Sequence, residues 1–149
     1  MNTLQINKIL VEDLYSRRYF KKVVAIDQLP SIFRKIKNSA YVINSHKQNQ
    51  DGEHWIAVFY DSDSNCEFFV SFAMGPGFYG LENFLNKTSN SCVTNKFALQ
   101  SIFSNFCGFY CVLFVLVRSR IISFENFLEY FDVDCVKNDE IIKNMFESF

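Results

Sequence analysis

The chain has 149 residues, which suits a single domain over residues 1–149 and leaves little room for a second. Hydrophobic residues make up 49% of it and aromatic residues 17%, enough to fill a packed core, so a disordered chain is excluded. The formal net charge of −1 gives no electrostatic reason to seek nucleic acid or an anionic membrane, and neither is expected as a partner.

Taken in chain order, the polar start over residues 1–8 lacks the apolar stretch of a secretory leader. Within residues 1–19, Leu4, Ile6, Ile9, Leu10 and Leu14 recur at a roughly helical period. Residues 23–26 read as a short strand, 27–29 as a turn into Pro30, and 40–44 as a second strand. Residues 46–52 are a polar loop holding the turn signal Asp51-Gly52. Residues 54–60 and 67–72 are aromatic and β-branched, and the polar run 61–65 between them predicts a β-hairpin. Gly75-Pro76-Gly77 ends that hairpin, 81–85 reads as a short helix, and 92–97 as a further strand.

The most apolar run is 106–117. Ser104 offers an N-cap for it, and Arg118 and Arg120 stand where cations favour a helix C-terminus. Twelve helical residues rise about 18 Å, too little to span a bilayer, so this is read as a buried core helix. Ser123 caps a helix to residue 130, and Asn138 a last one over 139–149. A helix, a group of strands and then a helical cluster predict an α+β domain.

Five cysteines, Cys66, Cys92, Cys107, Cys111 and Cys135, are odd in number and scattered in spacing. Neither a disulfide framework nor a CxxC zinc site fits, so a reducing compartment and no bound metal are expected.

Three residues could carry chemistry together. Cys107 falls in the first turn of the apolar helix, where open N–H groups and the helix dipole favour a thiolate, and Gly108 after it allows close backbone approach. His54 opens a strand at the lip of a turn and could serve as base. Gln100, seven residues before Cys107, could offer its side-chain amide to an oxyanion. Taken singly, each of these residues reads as ordinary core or solvated loop.

The segments Gly52-Glu53-His54-Trp55-Ile56-Ala57 and Gln100-Ser101-x-x-Ser104-x-x-Cys107-Gly108-x-Tyr110-Cys111 resemble the adenovirus protease family. They are closer still to its relatives in Polinton/Maverick virus-like elements, within the wider group that cuts ubiquitin-like modifiers. A looser likeness at Tyr19-Phe20 and over 40–44 extends it through most of the chain, to about Arg120. The resemblance implies a papain-like, adenain-type α+β peptidase, with the nucleophile on a central helix packed against a mixed or antiparallel sheet and a helical C-terminus. It implies that Cys107 attacks the scissile carbonyl, that His54 takes and returns the proton, and that Gln100 stabilises the oxyanion. Trp55 would wall a narrow cleft that admits glycine beside the cut.

One position departs from the family. Where relatives carry an acid sixteen or seventeen residues after the histidine, this chain reads Phe68-Phe69-Val70-Ser71-Phe72-Ala73, so Val70 is read as the vacant acid position. Valine cannot orient an imidazole, and Glu67 falls on the opposite face of a regular strand. Three readings stay open: a Cys-His dyad, an acid from elsewhere such as Asp61 or Asp63, or an inactive domain that binds.

The family's DNA and peptide cofactors are not carried over, because Cys92 stands at a different spacing and the chain has no basic excess. No cofactor is expected. The expected role is cleavage of structural precursor proteins at glycine-containing sites by a virus or virus-like element, inside the host cytoplasm or nucleus or within the particle. Removal of a ubiquitin-like modifier is the alternative.

Overall fold

The first helix, α1 (Thr3–Glu12), starts at a capping box: the Asn2 side chain accepts the Gln5 N–H, and Gln5 Oε1 accepts the Asn2 N–H. It turns Ile6 and Leu10 inward and leaves its other faces largely in solvent. The computed structural model describes residues 1–29, 31, 34–46 and 54–148. Most of the expected loop over 46–52, with its Asp51-Gly52 signal, lies outside these residues, as do Pro30, the Gly52-Glu53 part of the motif, and Phe149.

Five strands follow in one sheet: β1 (Phe20–Ala25), β2 (Ser39–Asn44), β3 (Trp55–Tyr60), β4 (Asn65–Phe69) and β5 (Ser91–Thr94), lying side by side in chain order. The sheet is mixed, with β1 parallel to β2, the next two pairs antiparallel, and β4 parallel to β5. The parallel step from β4 to β5 is made through α2 (Glu82–Thr88). At the centre, all six residues of β3 are buried, as expected for a strand covered on both faces.

Strand alternation divides the core. Odd positions Trp55, Ala57 and Phe59 face one apolar cluster with α1, α3 (Cys107–Arg118), α4 (Phe124–Glu129) and α5 (Cys135–Glu147). Even positions Ile56, Val58 and Tyr60 face a second cluster, closed by Leu81 and by Leu85 of α2. The polar hairpin turn is tied by Asp61, whose Oδ1 accepts the N–H groups of Asp63 and Asn65.

Several boundaries differ from the sequence reading: β5 ends at Thr94 rather than 97, α2 runs over Glu82–Thr88 rather than 81–85, and four further differences have a visible cause. β1 begins at Phe20 rather than 23, packing Phe20 into the helical cluster. β4 stops at Phe69, because the Asn95 side chain takes over both backbone groups of Val70 and the chain then turns through Ala73 at φ 59°. Ser104 does not cap α3, whose N-cap is Phe106 with no side-chain bond; its hydroxyl is held by Gln100 instead. Asn138 is not a cap either: Asp134 caps α5, accepting the N–H groups of Val136 and Lys137, and Asn138 is buried within the helix.

Among the described residues no helix is long and apolar enough to cross a membrane, and no group of three or more His, Cys, Asp or Glu side chains is arranged to hold a metal ion. No disulfide joins the five cysteines.

Candidate active site

A cleft of about 490 Å³ opens where the start of β3 meets the start of α3. His54, Trp55, Gln100 and Cys107 all line it, together with Met1, Phe72, Ile102, Ser104 and Asn105. His54 and Cys107 are 53 positions apart in the sequence, and the fold brings them to one wall because β3 and α3 are packed face to face in the helical cluster.

Cys107 is the first residue of α3. Its thiol accepts hydrogen bonds from the backbone N–H groups of Trp55 and Gly108, which seats the sulfur against the strand that His54 precedes. The expectation of a favoured thiolate is not met, and Cys107 is only 5% exposed. Burial pushes its pKa up, and the backbone N–H groups of Trp55, Gly108 and Cys107 itself, with the Met1 ammonium, pull it down by less. One turn further, Cys111 is wholly buried, and burial with the neighbouring Cys107 raises it well beyond the ordinary thiol value.

Gly108 does not line the cleft; it lies behind its wall. A Cβ there would stand 3.0 Å from Trp55 Cδ1 and 3.1 Å from Met1 Cβ, so the indole packs directly on the helix backbone. Trp55 is itself 7% exposed and closes that side of the cleft.

Gln100 is buried and fully engaged. Its Oε1 accepts the Ser71 hydroxyl at 2.6 Å, and its Nε2 donates to the backbone oxygen and the hydroxyl of Ser104, each at 3.0 Å. The Leu99 and Gln100 N–H groups both donate to Ser71 C=O at 2.8 and 3.2 Å. The amide therefore points its nitrogen toward the cleft side of the loop and is held there by both neighbours.

The side chain found in ring contact with His54 is Phe72, edge-on at 4.9 Å between centroids. Val70 is 1% exposed and packs with Ile56 and Leu81 in the second apolar cluster. Glu67 points to the helical side, where it receives Arg118 Nε at 2.5 Å and Nη2 at 2.9 Å. Asp61 and Asp63 belong to the hairpin turn after β3, while His54 stands before it; six strand residues separate the two ends by about 20 Å. Neither aspartate therefore supplies an acid to His54. Cys92 lies on β5 opposite Cys66 and exchanges a thiol hydrogen bond with it, away from the cleft. His46 is half-buried, its backbone N–H held by Asn44 Oδ1.

Sequence reasoning missed Ser71, Phe72 and the residues that hold the Gln100 loop. Ser71 and Gln100 are 29 positions apart, and no local pattern marks such a pair.

Scans of protein-family models and of curated proteins gave no match. Among solved structures, the ASFV pS273R protease superposes with TM-score 0.50 and 17% identity, over 81% of this chain and 59% of that one. ChlaDub1 from Chlamydia trachomatis gives TM-score 0.48 and 19% identity, over 64% of this chain and 46% of that one. The chain thus spans about half the length of the proteins it resembles. Its five-stranded mixed sheet and packed helices are those of the papain-like cysteine protease fold.

Proposed function

We propose that this chain is a thiol endopeptidase of the adenovirus-protease type, with Cys107 as nucleophile, His54 as base and Gln100 as oxyanion donor. The observation that carries this is the meeting of these three residues with Trp55 in one cleft, from three separate parts of the sequence. Cys107 Sγ adds to the scissile carbonyl as its proton passes to His54. The carbonyl oxygen, now an oxyanion, is met by Gln100 Nε2, which exchanges one of its bonds to Ser104 for it. His54 then protonates the leaving amine, and water cleaves the thioester to release acid and restore the thiol. Trp55, pinned between Gly108 and the cleft, leaves little width beside the nucleophile and favours glycine there. The natural substrates would be structural precursor proteins of a virus or virus-like element, cut inside the host cell or the particle.

A second reading, a peptidase-like domain that binds without cutting, draws on one observation: the Phe72 ring lies edge-on against His54, and Val70 stands at the position where relatives carry the acid. A glycine-ended peptide vinyl sulfone separates the two. Covalent labelling confined to Cys107, lost in Cys107→Ala and in His54→Ala, supports the peptidase. A folded protein that binds the peptide reversibly and never becomes labelled supports the second reading. Cleavage of Gly-Gly-x peptides without cleavage of ubiquitin-like conjugates favours precursor processing over removal of a modifier.

A further inference from the structure

Gln100 sits in a loop without regular structure, between β5 and α3, yet the residues on both sides of it are gripped by the C-terminal helix. Before it, Leu99 C=O accepts Asn138 Nδ2 at 3.1 Å and the Tyr110 hydroxyl at 3.2 Å. After it, Ser101 N–H donates to Asp139 Oδ2 at 3.2 Å. The other carboxylate oxygen, Oδ1, accepts the Tyr110 hydroxyl at 2.8 Å, linking the grip to the nucleophile helix α3. Asn138 is locked in turn, its Nδ2 donating to Asp132 C=O and its Oδ1 accepting the Asp132 N–H, both at 2.8 Å. Asn138 and Asp139 are both buried, and neither lines the cleft.

An oxyanion donor works only if it is held in advance within about 2.7–3.1 Å of where the charge will form. A displacement of about 1 Å is enough to lose about 100-fold in rate. The Gln100 side chain is fixed by Ser71 and Ser104, but these belong to turns and loops themselves. Among the described residues, only the bonds from α3 and α5 tie this segment to rigid helices.

We propose that Asp139, acting with Asn138 through Tyr110, is a positioning residue of the oxyanion hole. It sets the Leu99–Ser101 backbone so that the Gln100 amide meets the developing charge. This rests on the peptidase reading above, and it assigns α5 a part in turnover although that helix supplies no cleft residue.

The test uses the full chain, a glycine-containing peptide substrate and a double-mutant cycle. Asp139→Ala should lower kcat about 10- to 100-fold with KM changed less than about twofold. Asp139→Asn, which keeps an acceptor for Ser101 N–H, should recover most of the loss. In a Gln100→Ala background, Asp139→Ala should change kcat by less than about twofold, because the group it positions is gone. Iodoacetamide modification of Cys107, which forms no oxyanion, should be unchanged in every variant. Should Asp139→Ala not fold, Tyr110→Phe removes the link to α3 at nearly constant volume and should show the same coupling to Gln100. Multiplicative effects in the double variant, or an equal loss in alkylation rate, would make Asp139 a merely structural residue and overturn the inference. Wild-type kcat in Gln100→Ala would instead overturn the role of Gln100, and a wild-type chain that neither cleaves peptide nor reacts with the vinyl sulfone would overturn the peptidase reading and this inference with it.

Discussion

Cys107 and His54 differ from the sequence expectation in their surroundings more than in their placement. A cysteine at a helix start suggested a favoured thiolate, but burial outweighs the N–H donors of Trp55 and Gly108 and moves the Cys107 pKa upward. The thiolate is the reactive form, so raising the pKa delays reactivity on the pH axis. Iodoacetamide modification of Cys107 should therefore keep rising past about pH 8.5, the ordinary thiol value, rather than level off near neutrality. A plateau below pH 7 would mean that an imidazolium partner, not burial, governs the thiol. Cys111 should stay unmodified until the protein unfolds, since it is wholly buried. The acid position that the sequence reading leaves vacant makes a sharper test. Sequence spacing puts it at Val70, whereas the ring touching His54 is Phe72. Phe72 is half-buried at the cleft, so Phe72→Asp places a carboxylate where water still reaches it. It should raise kcat about 10- to 1,000-fold, within the roughly 10⁴-fold an orienting acid can supply. Val70→Asp buries a charge among Ile56 and Leu81 and should cost several kcal/mol, about 2 or more, without that gain. A larger gain from Val70→Asp in a folded protein would return the vacant position to residue 70.

At the scale of elements, Trp55 of β3 packs directly against Gly108 of α3. Replacing a helical glycine with alanine ordinarily gains about 1 kcal/mol. Here the new methyl group meets a buried indole at 3.0 Å, and overpacking of this kind costs about 1–3 kcal/mol. Gly108→Ala should thus be neutral to about 2 kcal/mol less stable, with a shifted Trp55 fluorescence maximum and kcat/KM lowered more than about tenfold; unchanged fluorescence and activity would show that the joint has slack. The same joint shows what could be read from the sequence. The hairpin was legible because β3 and β4 are aromatic runs around an Asp-rich turn, and α3 because its apolar run is long and unbroken. The Ser123 cap was legible for the same local reason, its hydroxyl accepting the Asn126 N–H. Ser104 and Asn138 carried equally good local cap signals, yet tertiary bonds claimed both: Ser104 for Gln100, and Asn138 for Leu99 and Asp132. The end of β4 was not legible, because it is set by Asn95, 25 positions away. The cleft was legible as a set of residue types, but Ser71, Phe72 and the α5 grip on its loop depend on contacts between distant segments.

At the scale of the molecule, one sheet carries two cores, and the cleft stands at the end of the strand they share. The helical side is the larger, with an aromatic nest in which Phe114 stacks on Phe69 at 5.0 Å and meets Phe124 and Phe127 edge-on at 5.3 and 5.5 Å. Phe114 fixes α3 to the sheet two turns beyond Cys107, so the nest and Cys107 ride on one rigid helix. On the other face, Leu85 of α2 is 2% exposed and closes a core whose edge meets the cleft at Phe72. Phe114→Ala should cost about 3–5 kcal/mol and Leu85→Ala about 2–5 kcal/mol. For a domain of this size that corresponds to a fall in Tm of about 10 °C for either variant. Because β3 is buried in both cores, neither half should melt alone: each variant should show one transition, coincident by near- and far-ultraviolet circular dichroism. Well below that transition the two should part. Phe114→Ala loosens the seat of α3 and should lower peptide turnover, while Leu85→Ala should leave turnover near wild type. Separate transitions in Leu85→Ala would show that the α2 face folds independently of the cleft. Equal turnover losses in both variants would show that the nest holds the molecule together without specifically placing Cys107.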